Sequence, residues 1–291
     1  MPERFSSVQL LYSPYDSGHY DQRMGAGPRA LRAAGAAPML HSRGFVVQET
    51  EVEPTSSWRS ELRTAFELQR ALAEQVANAR QRGSLPLVLA GNCNATVGAL
   101  AALTAEGKRV GLVWLDAHGD FNTPDEDGTG FLDGQGLAMA VGRCWQAATG
   151  RIPGFRALPE ENVIHIGARD LTEAQRLVLD ASRVSVLSVG EATEPDALSA
   201  ALEALVRRAD VVHLHVDLDV YDPSIAPAND YAAPGGFSAE DVREIVARTA
   251  SAVPVGSATL ASYDPSLDPD GTLRETALGL LSHIAESARP A

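Results

Sequence analysis

One feature constrains this chain more than any other. Short, almost wholly apolar runs alternate with longer stretches of helical periodicity along its whole length. A run such as VGLVWL (110–115) lacks the in–out alternation of a half-exposed strand, so it suits a sheet covered on both faces. Strands are expected at Val8–Tyr12, Phe45–Glu51, Leu85–Ala90, Val110–Asp116, Asn162–Gly167, Val184–Val189, Val211–Asp217 and Ala258–Tyr263. Helices are expected near Gly27–Ala34, Ser57–Arg82, Thr96–Ala105, Gly134–Trp145, Thr172–Asp180, Pro195–Arg208, Ser238–Thr249 and Leu273–Ala288. Ser56-Ser57-Trp58-Arg59-Ser60-Glu61 and Ser238-Ala239-Glu240-Asp241 place hydroxyls ahead of acids, as helix N-termini do. Strand–helix alternation of this kind predicts an α/β fold with a mainly parallel sheet and helices on both sides. With no internal repeat and no low-complexity linker, one domain spanning residues 1–291 is expected.

Charge and cysteine usage narrow the partners. The 38 acidic residues outnumber the 24 basic ones, giving a formal charge of −14. Such a surface repels phosphate backbones, so no nucleic-acid partner is expected; it suits a cationic substrate or a metal. Cys93 and Cys144 are too few for a disulfide framework. The opening MPERFSSVQLLYSPYDSG has no basic stretch followed by an apolar core, and no run approaches about 18 apolar residues. Neither a signal peptide nor a membrane partner is expected, and the expected location is cytoplasmic.

The chemistry sits where apolar runs end. Val110–Leu115 leads straight into Asp116-Ala117-His118-Gly119-Asp120-Phe121-Asn122. Asp116, His118 and Asp120 share one face if the strand continues, and converge on a point if the chain turns. In VVHLHVDLDVY (211–221), His213, His215, Asp217 and Asp219 alternate with hydrophobes and are expected on one face. Carboxylates are almost never fully buried without a partner. Two buried strands ending in such clusters therefore point to one or two divalent cations, and aspartates with an imidazole favour an ion such as Mn²⁺.

These segments resemble the arginase/agmatinase ureohydrolases, and the resemblance covers nearly the whole chain. It is carried by Gly25-Ala26-Gly27-Pro28-Arg29-Ala30-Leu31-Arg32, by Trp114-Leu115-Asp116-Ala117-His118-Gly119-Asp120-Phe121-Asn122-Thr123-Pro124, by Asp217-Leu218-Asp219-Val220-Tyr221-Asp222-Pro223, and by Pro234-Gly235-Gly236. Ala90-Gly91-Asn92-Cys93-Asn94 stands where the family has Gly-Gly-Asp-His-Ser. The resemblance implies a three-layer α/β/α architecture on an eight-stranded, mainly parallel sheet. It implies two divalent ions, Mn²⁺ expected, sharing a bridging hydroxide that attacks the central carbon of a guanidino-type small molecule and releases urea or a relative. By position, Asp116 and Asp217 would bridge the ions; Cys93 and Asp120 would serve the first, His118 and Asp219 the second. Asn122 and Thr129 match positions that contact the substrate's amino-acid end. The family's trimers and hexamers imply a homo-oligomer.

Departures from the family pattern set this chain apart. Cys93 replaces a histidine, and a thiolate is a softer, charged ligand that shifts preference toward Zn²⁺, Fe²⁺ or Co²⁺; the alternative is a neutral buried thiol that only fills space. His215 lies one same-face step, about 6.6 Å, below Asp217, where it would hydrogen-bond a carboxylate; with Asp133 it is a candidate catalytic side chain. Asp133 stands where arginases carry a proton-shuttling histidine, the alternative being a helix N-cap before Gly134. Ser262 replaces a glutamate that pairs with the guanidinium, so a less basic group such as an N-hydroxyguanidine loses less. Tyr231 is placed to cap the pocket and Asp230 to meet a cationic substrate end, the alternative being that Asn229-Asp230-Tyr231 is a surface turn. These departures resemble the N-hydroxy-arginine hydrolases, which release hydroxyurea. The alternative class is a catalytically silent relative that binds a metabolite or partner.

Overall fold

The computed structural model describes residues 5–57 and 59–289. Strand β1 (Ser7–Ser13) is followed by a hairpin, β2 (Tyr15–Asp16) and β3 (His19–Tyr20), and then by β4 (Val46–Glu51), β5 (Ser84–Ala90), β6 (Val110–Leu115), β7 (Val163–Ile166), β8 (Ser185–Leu187), β9 (Val211–Asp217) and β10 (Val255–Ala261). The eight strands other than the hairpin form one sheet in the order β4-β1-β5-β10-β9-β6-β7-β8. Every neighbouring pair in it is parallel. The helices are α1 (Gly27–Ala33), α2 (Ala36–Ser42), α3 (Glu61–Gln81), α4 (Thr96–Ala105), α5 (Gly136–Ala140), α6 (Gln146–Thr149), α7 (Glu173–Asp180), α8 (Val189–Thr193), α9 (Pro195–Val206), α10 (Ala239–Ala252) and α11 (Thr272–Ser287).

Helices α3, α4 and α5 pack together on one face; α1, α2, α9, α10 and α11 cover the other. The strands serve both layers by alternation. On β9, Val212, Leu214 and Val216 enter the core beneath α9–α11. That sends His213, His215 and Asp217 to the α4 side. Because all eight strands are parallel, their carboxyl ends lie on one edge, and the last two strands, β9 and β10, fill the centre between β6 and β5. Parallel α/β sheets place their sites outside such carboxyl ends, where the strand order reverses.

Several local expectations are corrected. The single helix expected at Gly134–Trp145 breaks: α5 ends at Ala140, and the chain turns through Gly142 and Trp145, both with positive φ, before α6. The long helix is capped by Ser60, which accepts from Arg63 N, while Ser56 donates to Glu67; Trp58 lies outside the described residues. Val189 is helical, because Ser188 caps α8 in a reciprocal arrangement with Glu191. Among the described residues, no helix is long and apolar enough to cross a membrane.

Candidate metal and substrate site

Strand β6 stops at Leu115 and the chain turns, so Asp116, His118 and Asp120 converge rather than share a strand face. The turn is built by the first carboxylate: Asp116 Oδ1 accepts from His118 N at 2.7 Å and Oδ2 from Trp114 Nε1 at 2.9 Å. Asp120 adopts the left-handed region, φ 46, and its Oδ2 is buried with no hydrogen-bond partner. Strand β9 ends at Asp217, whose Oδ1 accepts from Asp219 N at 2.8 Å and starts a 3-10 turn. Asp219 is therefore off the strand, which corrects the expected four-residue face. It still reaches the site: Oδ1 accepts from Ala117 N at 3.2 Å, tying the two turns together.

A third strand end contributes Cys93, buried just past β5. Its thiol donates to Asp217 Oδ2 at 2.8 Å and lies 3.2 Å from Ser262 Oγ. His118 Nδ1 sits 3.2 Å from Asp219 Oδ2 and 3.4 Å from Asp116 Oδ1. Asp133 does not cap its own helix. Its Oδ1 accepts from Asn94 N at 3.0 Å and Oδ2 from Asn92 Nδ2 at 2.9 Å, which holds it against the Cys93 turn. His215 does not bond a carboxylate, contrary to expectation. Nδ1 pairs with Thr96 Oγ1 at 2.8 Å, the ring stacks on Trp114 at 3.7 Å, and Nε2 has no partner. Strand spacing accounts for this: Nδ1 faces α4, which brings Thr96 within reach.

The charges do not balance. Burial raises the carboxyls of Asp116, Asp120, Asp217 and Asp133, aided by their mutual repulsion, and brings Asp133 to about 7. Burial and the Asp217 and Asp133 charges push the Cys93 thiol up. For Asp219, burial alone would raise the carboxyl, but His118 overrides it and holds it at about 2. The same pairing reverses the desolvation of the imidazole and lifts His118 to about 12. One ring thus faces a floor of aspartates. Arg169, the nearest guanidinium, spends its donors on the carbonyls of Asp219, Tyr221 and Ala233. An unpartnered carboxylate oxygen, an unpartnered imidazole nitrogen and surplus buried acid are what divalent cations would satisfy. Among the described residues, two sets bring ligand atoms within 4.8 Å of one another: Cys93, Asp116 and His215; and Asp116, His118 and Asp219.

Above this floor opens a cavity of about 360 Å³. Asn122, Thr129, Tyr231 and Ser262 line it, together with Asp133. Thr129 Oγ1 donates to Asp127 at 2.6 Å. Tyr231 stands at the mouth, edge-on to His118 and tilted against Phe131. Asp230 is exposed and does not line the cavity, so its expected contact with a substrate is not supported. Asn229, absent from the sequence-derived site, bridges Asp219 Oδ2 at 3.2 Å and the Ser262 carbonyl at 3.1 Å. Arg169 and Asn92 were equally hidden. For Asn92 and Arg169 the available signal was their position two and three residues past a buried strand.

Comparisons with known proteins bear on the family and the fold. The sequence matches the family model described as Arginase family over residues 6–286. It is 28% identical to an arginase of Bacillus caldovelox across 95% of this chain and 97% of that protein. An arginase of Brevibacillus brevis is 29% identical, covering 96% and 97%. The solved native structure of the Bacillus caldovelox arginase superimposes with a TM-score of 0.87 at 26% identity, covering 97% of this chain and 98% of that one. The protein belongs to the arginase family.

Proposed function

We propose that this hydrolase is metal-dependent and cleaves a C–N bond of a guanidino-type small molecule, with an N-hydroxy-arginine-like compound preferred over arginine. The observation that carries the reading is the surplus of buried carboxylate over cation at the strand ends. Cys93, Asp116, His118, Asp120, Asp217 and Asp219 would supply the side chains that hold two divalent ions. When bound, such ions supply a water acidified toward neutrality and polarise the reacting centre, with Mn²⁺ the family expectation.

The chain's own residues do the rest. Asn229, Trp114 and the Ala117 amide fix the aspartates by hydrogen bonds, so the ligands are oriented before substrate arrives. Asp133, titrating near 7 beside Asn92 and Asn94, can hold a proton at neutral pH and deliver it to the departing amine. Asn122 and Thr129 orient the polar end of the substrate at the cavity wall, and Tyr231 narrows the mouth. Ser262 presents a hydroxyl, so a fully charged guanidinium gains no ion pair there, while a less basic N-hydroxyguanidine forgoes little.

The test is product analysis with the metal-loaded protein on arginine, N-hydroxy-arginine, agmatine and guanidino acids, with metal content measured alongside. Hydroxyurea from N-hydroxy-arginine at a higher kcat/KM than urea from arginine is the expected result. No product from any of the four, at confirmed metal occupancy, overturns the reading. Replacement of the family residues at 93, 133 and 262 together motivates the silent-relative alternative, for which a chelator-insensitive melting temperature is the signature.

A further inference from the structure

We infer that Cys93, Asp116 and His215 form a soft divalent-metal position, suited to Zn²⁺ or Co²⁺ rather than Mn²⁺, in which the His215 imidazole is a direct ligand. The inference rests on the metal-dependent reading above and specifies which side chains hold one ion.

Three observations converge. First, ligand atoms of Cys93, Asp116 and His215 lie within 4.8 Å of one another. Bonds of about 2.3 Å to sulfur and 2.0–2.1 Å to nitrogen put tetrahedral ligand atoms about 3.5 Å apart, so only a small contraction is needed. Second, His215 is fully buried and its Nε2 has no partner. His213, one step down the same strand face, shows how this sheet treats an ordinary core histidine: Nδ1 meets Ser257 Oγ at 2.7 Å and Nε2 meets Thr259 Oγ1 at 3.1 Å. His165 also lacks partners, but it belongs to neither ligand set. Third, the His215 ring is already oriented. Thr96 Oγ1 at Nδ1 and the Trp114 face fix its plane; with Nδ1–H donating to Thr96, the lone pair sits on Nε2. Metal-bound histidines use their second nitrogen in this way.

The two ligand sets then differ in kind while sharing Asp116. One offers sulfur, nitrogen and oxygen; the other offers two carboxylates and His118. Thiolate and imidazole select Zn²⁺ and Co²⁺, whereas carboxylate-rich sets suit Mn²⁺. Cys93 carries the thiolate in place of the imidazole expected at its position, and His215 restores an imidazole from the neighbouring strand.

The test is cobalt titration of the metal-stripped full-length protein, read by absorption. The wild type is expected to show a near-ultraviolet thiolate-to-cobalt band and intense visible bands of a four-coordinate ion. Cys93→Ser removes the first. His215→Asn weakens cobalt affinity by about a hundredfold or more and alters the visible bands, while Thr96→Val weakens it by about tenfold and leaves the bands' form intact. Circular dichroism of the stripped variants establishes that they fold. Should His215→Asn unfold, X-ray absorption of the wild-type zinc form decides: a sulfur scatterer near 2.3 Å with imidazole scattering supports the inference. Unchanged cobalt spectra in folded His215→Asn, or a wild-type ion with oxygen ligands only, overturns it. In that case retained hydrolysis of the guanidino panel leaves the proposed function standing, whereas absence of any bound metal removes both.

Discussion

Replacing Asp217 by Asn should move stability in opposite directions with and without divalent cations. In the metal-free protein the Asp217 carboxyl is buried, and burial with the charges of Asp219 and Asp116 raises it well above the usual carboxylate range. Two like charges about 5 Å apart repel by about 3 kcal/mol at an effective dielectric of ~20; proton uptake and relaxation leave a net burden of about 1–3 kcal/mol. An amide keeps the geometry, because Oδ1 still accepts from Asp219 N and the second atom still faces the Cys93 thiol. At roughly 2.1 cal/mol/K per residue, a chain of 291 residues unfolds with an entropy of about 0.6 kcal/mol/K. The metal-free variant should therefore melt about 2–5 °C above the wild type. Ions at about a thousand times their Kd add about 4 kcal/mol to the wild type, or about 7 °C. A variant that binds them a hundredfold more weakly keeps about 1.4 kcal/mol, or about 2 °C. Scanning calorimetry on chelator-stripped and Mn²⁺-loaded samples measures all four values. A lower metal-free melting temperature in the variant, or an undiminished metal increment, refutes the reasoning.

Other outcomes follow from the same contacts. Ser262→Glu should raise the kcat/KM ratio of arginine over N-hydroxy-arginine by about tenfold or more, since it places a carboxylate on the cavity wall; steady-state kinetics on both substrates checks it. Glu67→Gln should cost about 2 kcal/mol at pH 7, because burial alone would raise this carboxyl whereas Arg63 and Ser56 hold it at about 2. The pKa is depressed on folding, so the contribution is present above the unfolded value and disappears as pH falls from about 5 toward 2; denaturant titrations across that range should show the difference from wild type closing. Gly91→Ala should destabilise by about 3 kcal/mol or more, because the added methyl would lie 2.7 Å from Gly25 Cα and against the Tyr15 carbonyl; urea unfolding checks this.

The sheet was legible because its central strands are apolar runs whose length and flanks admit little else, whereas the edge strand β4 is polar beyond Val47. VVHLHVD at Val211–Asp217 even gives the β9 boundaries to the residue. The two carboxylate clusters were legible for a related reason: acids closing a buried strand demand a partner. What the sequence hid lies where side chains rather than periodicity decide the backbone. The Asp217 carboxylate captures the Asp219 amide, ends the strand and moves Asp219 off its face. The His215 ring finds Thr96 across the layer, a contact between residues 119 apart that no local pattern encodes. The hairpin β2–β3 is two residues per strand, too short for alternation to register. Asn229 acts through bonds to residues 10 and 33 positions away.

Strain in the backbone marks two residues of the site. Asp120 and Ser262 both occupy the left-handed region, φ 46 and 66, which aspartate tolerates better than serine does. Each is pinned by its main chain: Ala138 N donates to the Asp120 carbonyl at 3.0 Å, Ser262 N donates to Ala90 O at 3.2 Å, and Asn229 holds the Ser262 carbonyl. Glycine would relieve the strain at either position, and neither position has become glycine. At Asp120 the turn leaves one buried carboxylate oxygen without a hydrogen-bond partner. That unpaired oxygen is what a cation at the strand ends would engage. At residue 262 the pinned main chain holds the serine at the cavity wall, so this side chain sets what the wall offers a substrate. Under the proposed function Cys93, Asp133 and Ser262 set the chemistry of the site, and substrate preference is where replacing them should register.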